Sequence, residues 1–212
     1  MSRQVVVLDM GTANIFSLSS ALRFLGAPFV VTADPDRLAD ASHLILPGVG
    51  AYDPASRQLH DQGLLTPLTR FALEQRRPLL GVCLGMQLLF EGSAEGECAG
   101  TGLLPGRLVR LSADAGSRHR VPHVGFAPVS GFEPTGLFDG LAPDSMFYFT
   151  HSFARADAVP GTNAAICAHA TPFIAAVQRD NICGVQFHPE KSQANGLRLL
   201  ANFLRLSAGT VA

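Results

Sequence analysis

Leu79-Leu80-Gly81-Val82-Cys83-Leu84-Gly85-Met86-Gln87-Leu88-Leu89-Phe90 reads as an apolar strand, a sharp turn and an amphipathic helix in direct succession. Glycines stand two positions to either side of Cys83. This is the G-x-nucleophile-x-G spacing of a strand-to-helix elbow, with Cys in place of Ser. Such glycines let the backbone turn sharply and pack closely, which sets Cys83 on a strained, exposed crest. A helix N-terminus carries about half a positive charge and favours a thiolate. The next backbone N–H, that of Leu84, points to where an oxyanion would form. A free cysteine is commonly a small buried hydrophobe. The flanking glycines set Cys83 apart, whereas Cys98, Cys167 and Cys183 have no such setting and read as inert thiols.

Upstream of the elbow, strand and helix signals alternate. Val5 to Leu8 is a continuous β-branched and aliphatic run, as in a strand buried on both faces. Asp9-Met10-Gly11-Thr12 turns the chain. Ile15, Leu18, Leu22 and Leu25 then follow at helical spacing, and Gly26 is placed to end that helix. Phe29 to Thr32 and Leu44 to Leu46 are short strands, the latter running into Pro47-Gly48-Val49-Gly50. A helical region from Asp53 to Gln75 breaks near Gly63. The alternation predicts an α/β fold: a doubly wound, mostly parallel central sheet.

Downstream the pattern changes to short apolar runs punctuated by Gly, Pro, Asp and Asn: Arg107–Leu111, Val124–Val129, Met146–Phe149, Ala164–Ala168, Ile174–Gln178 and Ile182–Phe187. These predict hairpin strands and an antiparallel extension of the sheet. A last helix starts at Ser192 as N-cap and buries Leu197, Leu200, Phe203 and Leu204. With no repeat and no linker, residues 1–212 read as a single domain.

A thiolate needs a base. Of the seven histidines, His188 stands at the end of an apolar strand in Gly184-Val185-Gln186-Phe187-His188-Pro189-Glu190-Lys191. Open α/β sheets place their sites at such carboxyl ends. Glu190, two residues on, can orient the imidazole and stabilise its charged form, as the third member of a triad does.

Composition bounds the rest. Hydrophobic residues make up 47% and charged ones 16%, against about 25% charged in an average domain. A sheet covered on both faces would lower the charge, and so would a permanent partner surface. A net charge of −1 gives no electrostatic ground for nucleic acid or anionic membrane. The apolar run before Asp9 is too short for a signal segment, and no stretch approaches the roughly 20 apolar residues of a membrane span. Four cysteines without CxxC pairing fit free thiols in a cytoplasmic protein. No Cys or His cluster has metal-ligand spacing, so neither metal nor cofactor is expected. Gly48-Val49-Gly50 after a strand resembles the start of a dinucleotide loop, but the third glycine position of that motif is Asp53.

With elbow and histidine segment in hand, the chain resembles the class I glutamine amidotransferases. Within them it is most similar to the HisH family, the glutaminase subunit of imidazole glycerol phosphate synthase. The matching segments are Pro47–Gly50, Gly81–Glu91, Val121–Gly125, Phe147–Ser152 and Gly184–Ser192, with weaker support from Asp9–Asn14. The resemblance implies a flavodoxin-like fold on which Cys83 attacks the glutamine side-chain amide, forming a glutamyl thioester. His188 would protonate the departing ammonia and then activate water, with Glu190 orienting it. The resemblance also makes Pro47–Gly50 an oxyanion strand, which can flip so that the N–H of Val49 or Gly50, beside Gly48, joins that of Leu84. Gln87 is implied as a substrate contact, and His151-Ser152-Phe153 as the segment whose backbone holds the amino and carboxylate groups of glutamine. The family's partner is a (β/α)8-barrel synthase of the HisF type, forming a heterodimer in histidine biosynthesis. Pro122, His123, Phe126, Tyr148 and Lys191 fall where the family meets that barrel. Where the family usually has tryptophan and asparagine, this chain has Phe126 and Ala127; loss of the amide removes donor and acceptor capacity at a partner contact. Two readings stand beside this one: a HisH-like paralogue feeding another synthase, such as one forming amidino-sugars, and a stand-alone cysteine hydrolase on the same fold.

Overall fold

The computed structural model describes residues 4–11, 14–112 and 120–209; Thr12 and Ala13 of the opening turn lie outside them. The first half runs β1 (Val5–Leu8), α1 (Ile15–Phe24), β2 (Phe29–Thr32), β3 (His43–Gly48), α2 (Tyr52–Asp61), α3 (Leu65–Thr69), β4 (Leu79–Cys83) and α4 (Leu84–Leu89). There follow β5 (Gly92–Ser93), β6 (Arg107–Arg110), β7 (His123–Val129), β8 (Ser145–His151), β9 (Phe153–Ala154), β10 (Asn163–His169), β11 (Thr171–Arg179), β12 (Ile182–Val185) and α5 (Gln193–Arg205).

The central sheet has seven strands in the order β10-β11-β12-β4-β3-β1-β2. From β12 to β2 every neighbouring pair is parallel, and β10 and β11 extend the sheet antiparallel. The remaining predicted hairpin strands do not join it. β7 and β8 pair with each other as a separate antiparallel ribbon, and β6 lies between β5 and β9 in a small sheet.

Strand pleat explains the two-sided core. Val5 and Val7 point into one apolar cluster, with Ile45, Leu80, Val82 and the inner residues of α5. Val6 and Leu8 point into the other, with Leu44, Leu46, Leu79 and residues of α2 and α4. Successive side chains alternate across a strand, so a run apolar at every position needs cover on both faces. α1 stops where expected, with Gly26 in the left-handed region at φ +68°. The helical region after Tyr52 breaks at Gly63, and a π-helical turn, Arg70–Glu74, completes it before β4.

Two helix expectations need correction. α4 is not amphipathic: all six of its residues are buried, because it runs beneath the site between β3 and the second core cluster. α5 buries Leu199 as well as Leu200 and Phe203, while Leu197 and Leu204 pack at the margin. Ser192 precedes α5 without a side-chain cap. Its hydroxyl instead donates to the His188 carbonyl at 2.6 Å and accepts from the Tyr148 N–H at 2.9 Å.

At the elbow the left-handed residue is Cys83 itself, at φ +55° and ψ −110°. The glycines serve close approach. A Cβ on Gly85 would lie 1.7 Å from the Leu46 carbonyl oxygen, and one on Gly81 would lie 2.7 Å from the Gly85 carbonyl oxygen. Both contacts are with backbone, which cannot swing aside. Gly85→Ala is therefore expected to lower unfolding stability by about 3 kcal/mol or more. Thermal or urea unfolding checks this; wild-type stability in that variant would mean that α4 is not pressed against β3 as described.

Candidate active site

β12, β4 and β3 are neighbours in the sheet, and their carboxyl ends deliver three parts of one site. Cys83 closes β4, Gly48 closes β3 directly opposite it in register, and His188 follows β12. A cleft of about 310 Å³ opens above them. It is lined by Val49 and Gly50 after β3, Cys83, Leu84 and Gln87 of the elbow, and His188. Glu95, Pro122 and the run from Thr150 to Phe153 complete its walls. Cys83 is only 6% exposed, so it sits at the floor of a cleft rather than on an open crest.

His188 is held from both sides of its peptide. Its backbone N–H donates to the Tyr148 carbonyl at 2.9 Å, and its own carbonyl accepts from Ser192 Oγ and the Lys191 N–H. Its Nδ1 meets Glu190 Oε1 at 2.8 Å, with both side chains almost wholly buried. A carboxylate can only accept, so Nδ1 carries the proton. Among the described residues nothing meets buried Nε2 at full hydrogen-bond geometry, although the Cys83 sulfur interacts with it, and Glu190 Oε2 is likewise without a partner. Burial pulls the imidazole pKa down, but interaction with the Cys83 sulfur and the Glu190 carboxylate outweighs it and raises the value to about 9. The folded value thus exceeds the ordinary 6.5. The stabilisation this brings is complete below that ordinary value and fades as pH rises through about 9.

Gln87 lines the cleft, but its amide nitrogen is committed to the Phe153 carbonyl at 3.0 Å and to Gln186 Oε1 at 3.1 Å. Of its two polar atoms, that leaves the oxygen for other contacts. The Phe153 carbonyl also accepts from His151 Nδ1 at 3.0 Å, which uses both of its lone pairs. The carbonyl side of the predicted substrate-holding backbone is therefore engaged within the chain. Burial lowers the His151 pKa to about 4, helped by nearby His169 and His188, so the ring is neutral.

The five residues expected at a partner surface divide. Phe126 is exposed, its ring edge-on to Tyr148 at 5.5 Å, and Lys191 Nζ stands over the Tyr148 ring at 5.7 Å. Pro122 is exposed on the rim of the cleft. His123 does not face outward: it is 3% exposed, stacked on His169 at 3.7 Å and on Phe149 at 4.7 Å. Strand pleat is the reason, since 123, 127 and 129 point inward on β7 while 124, 126 and 128 point out. By the same alternation Ala127 packs into the core, with Phe147 opposite it in register. Of the two departures from the family pattern, only Phe126 can alter a surface.

Glu95 and Gln186 were not singled out by the sequence. Glu95 is one of three acidic residues in the loop after the elbow, and nothing in the string separates it from Glu91 or Glu97. In the structure its carboxylate accepts from the Tyr52 N–H at 3.2 Å and faces the cleft. Burial holds its pKa above the usual carboxylate range against that hydrogen bond.

A family model described as glutamine amidotransferase class-I matches residues 6–206. Imidazole glycerol phosphate synthase subunit HisH of Synechococcus elongatus is 43% identical over 203 residues, covering 95% of this chain and 92% of that protein. Its namesake from Desulfitobacterium hafniense is 42% identical, covering 93% and 92%. A crystal structure of a glutamine amidotransferase superposes with a TM-score of 0.75 at 20% identity, over 97% of this chain and 99% of that one, a likeness of fold. The chain belongs to the class I glutamine amidotransferase family, among relatives named as HisH subunits.

Proposed function

We propose that this chain, as one catalytic domain, is the glutaminase subunit of an imidazole glycerol phosphate synthase in the cytoplasm. It hydrolyses glutamine and passes the ammonia to a (β/α)8-barrel partner of the HisF type. The observation that carries the reading is that Cys83 and His188 share one cleft with the carboxylate of Glu95, while Glu190 holds the far ring nitrogen of His188. The names of the relatives support the pathway.

The Cys83 thiolate attacks the side-chain carbonyl carbon of glutamine, and the oxygen takes up the negative charge. The N–H of Leu84, and of Val49 or Gly50 once their peptide turns inward, would receive that charge. His188, protonated at both nitrogens, gives its Nε2 proton to the amide nitrogen. Ammonia leaves and a thioester remains. His188, now neutral at Nε2, removes a proton from water. The hydroxide adds to the thioester, glutamate departs and the thiolate returns. Glu190 keeps the ring in one orientation and stabilises the imidazolium. Glu95 and the Gln87 oxygen would receive the substrate's ammonium group, which is a full positive charge in a partly buried site. No cofactor enters this sequence of steps.

Beside the cleft lies an apolar face. Val124, Phe126 and Met146 are exposed on the β7–β8 ribbon, and Thr150 of the cleft wall pairs with Val124. A free-standing hydrolase would gain nothing from keeping these side chains in water, whereas a subunit that delivers ammonia needs a docking surface at the mouth of its site.

Three outcomes are expected. Cys83→Ser should abolish glutamine-dependent synthesis in the assembled enzyme while synthesis from added ammonium persists; glutamine dependence retained in that variant would contradict the assignment. Glu190→Gln should reduce glutaminase kcat by at least about tenfold, because the amide cannot balance the charged ring. Unchanged kinetics there would remove Glu190 from the triad. Phe126→Ala and Lys191→Ala should each weaken partner binding by roughly tenfold, read by calorimetry, without altering the alkylation of Cys83 in the free subunit. Wild-type affinity in both would move the interface elsewhere.

A further inference from the structure

A hydrogen-bond chain whose direction is fixed at one end runs through the cleft wall to the nucleophile. The Phe153 carbonyl can only accept, so Gln87 must turn its NH2 group toward it. The second N–H of that group then donates to Gln186 Oε1 at 3.1 Å. With its oxygen taken, Gln186 has to present its own NH2 group to Cys83 Sγ, at 3.8 Å. Flipping Gln87 would set its oxygen against two other carbonyl oxygens, and flipping Gln186 would set its NH2 group against that of Gln87, so the orientation follows from chemistry. Gln186 is 1% exposed and Gln87 5%, so water cannot substitute for either donor. The Gln186 backbone N–H donates to the Ala175 carbonyl at 2.8 Å, which fixes this side chain from the same strand end that delivers His188.

We propose that Gln186 is a second donor to the nucleophile: its side-chain N–H holds the Cys83 sulfur toward the cleft and stabilises the negative charge that builds on it. The proposal rests on the reading of Cys83 as a thiolate nucleophile. Sulfur is a weak acceptor when neutral and a stronger one when ionised, so the contact gains strength as the charge appears. His188 serves the same sulfur but must surrender its proton during each turnover. Gln186 has no proton to lose and can hold the thiolate both before attack and when it is released from the thioester. The other ionisable groups facing this floor are His188 after β12, backed by Glu190 on its far side, His151 from β8 and Glu95 from the loop after β5.

The test uses the subunit assembled with its synthase partner and two variants, Gln186→Leu and the near-isosteric Gln186→Glu. Three quantities are measured: the pH dependence of Cys83 alkylation by iodoacetamide, the kcat and KM for glutamine, and synthesis from added ammonium as the check on assembly. In Gln186→Leu the alkylation midpoint should rise by about one pH unit. The kcat should fall roughly tenfold or more, with KM altered less than about twofold. Gln186→Glu can still accept from Gln87 but turns an oxygen toward the sulfur, so its midpoint should rise further. An unmoved midpoint in both variants overturns the proposal even if activity falls, because Gln186 is then a packing residue. Glutaminase activity surviving Cys83→Ser would instead remove the nucleophile reading beneath it.

Discussion

Cys83 occupies a backbone conformation that a side chain normally avoids. A non-glycine residue in such a region costs on the order of 1–3 kcal/mol and persists only where its surroundings over-determine it. Here the determinants are visible. β4 is paired in parallel on both sides, with β3 and with β12. Immediately beyond the cysteine, Gly85 presses against the Leu46 carbonyl so closely that no side chain fits. The strand cannot continue and the chain cannot relax outward, so it turns at the sulfur. Everything else in the site is placed relative to that forced turn.

The same sheet order supplies the partners. Because β12 and β3 flank β4, one carboxyl end brings His188 and the other brings Gly48, with the Val49–Gly50 loop after it. β8 lies outside the central sheet yet reaches the site from the side. Its Tyr148 carbonyl accepts the His188 N–H, its Thr150 lines the cleft, and Met146 and Tyr148 stand on the face beside Phe126. One strand thus borders His188, the cleft and the apolar face. Of the causes of low charge weighed from sequence, the sheet covered on both faces is present; the exposed side chains of Val124, Phe126 and Met146 add a further apolar strip.

Much of this was legible before any coordinates. The run Val5–Leu8, the glycines around Cys83 and the His-Pro-Glu turn are local patterns with local physical causes, and their elements appear where those patterns lie. What was not legible depends on registers formed at a distance. Whether β7 and β8 join the central sheet is decided by edges that no short window of sequence contains. The inward direction of His123 follows from its phase on β7, which becomes clear once its pairing with His151 is known. Glu95 gains its place through a hydrogen bond to a helix 43 residues away, and Gln186 gains its orientation through Gln87 and Phe153.

If Cys83 is the nucleophile, it alone of the four thiols reacts with the glutamine side chain. Incubating the assembled enzyme with a diazoketone analogue of glutamine, then locating the adduct by peptide mass spectrometry, asks this directly. A single adduct on Cys83 is expected, suppressed by excess glutamine. Modification of Cys98, Cys167 or Cys183 while Cys83 stays free, with ammonia production lost in step, would contradict it.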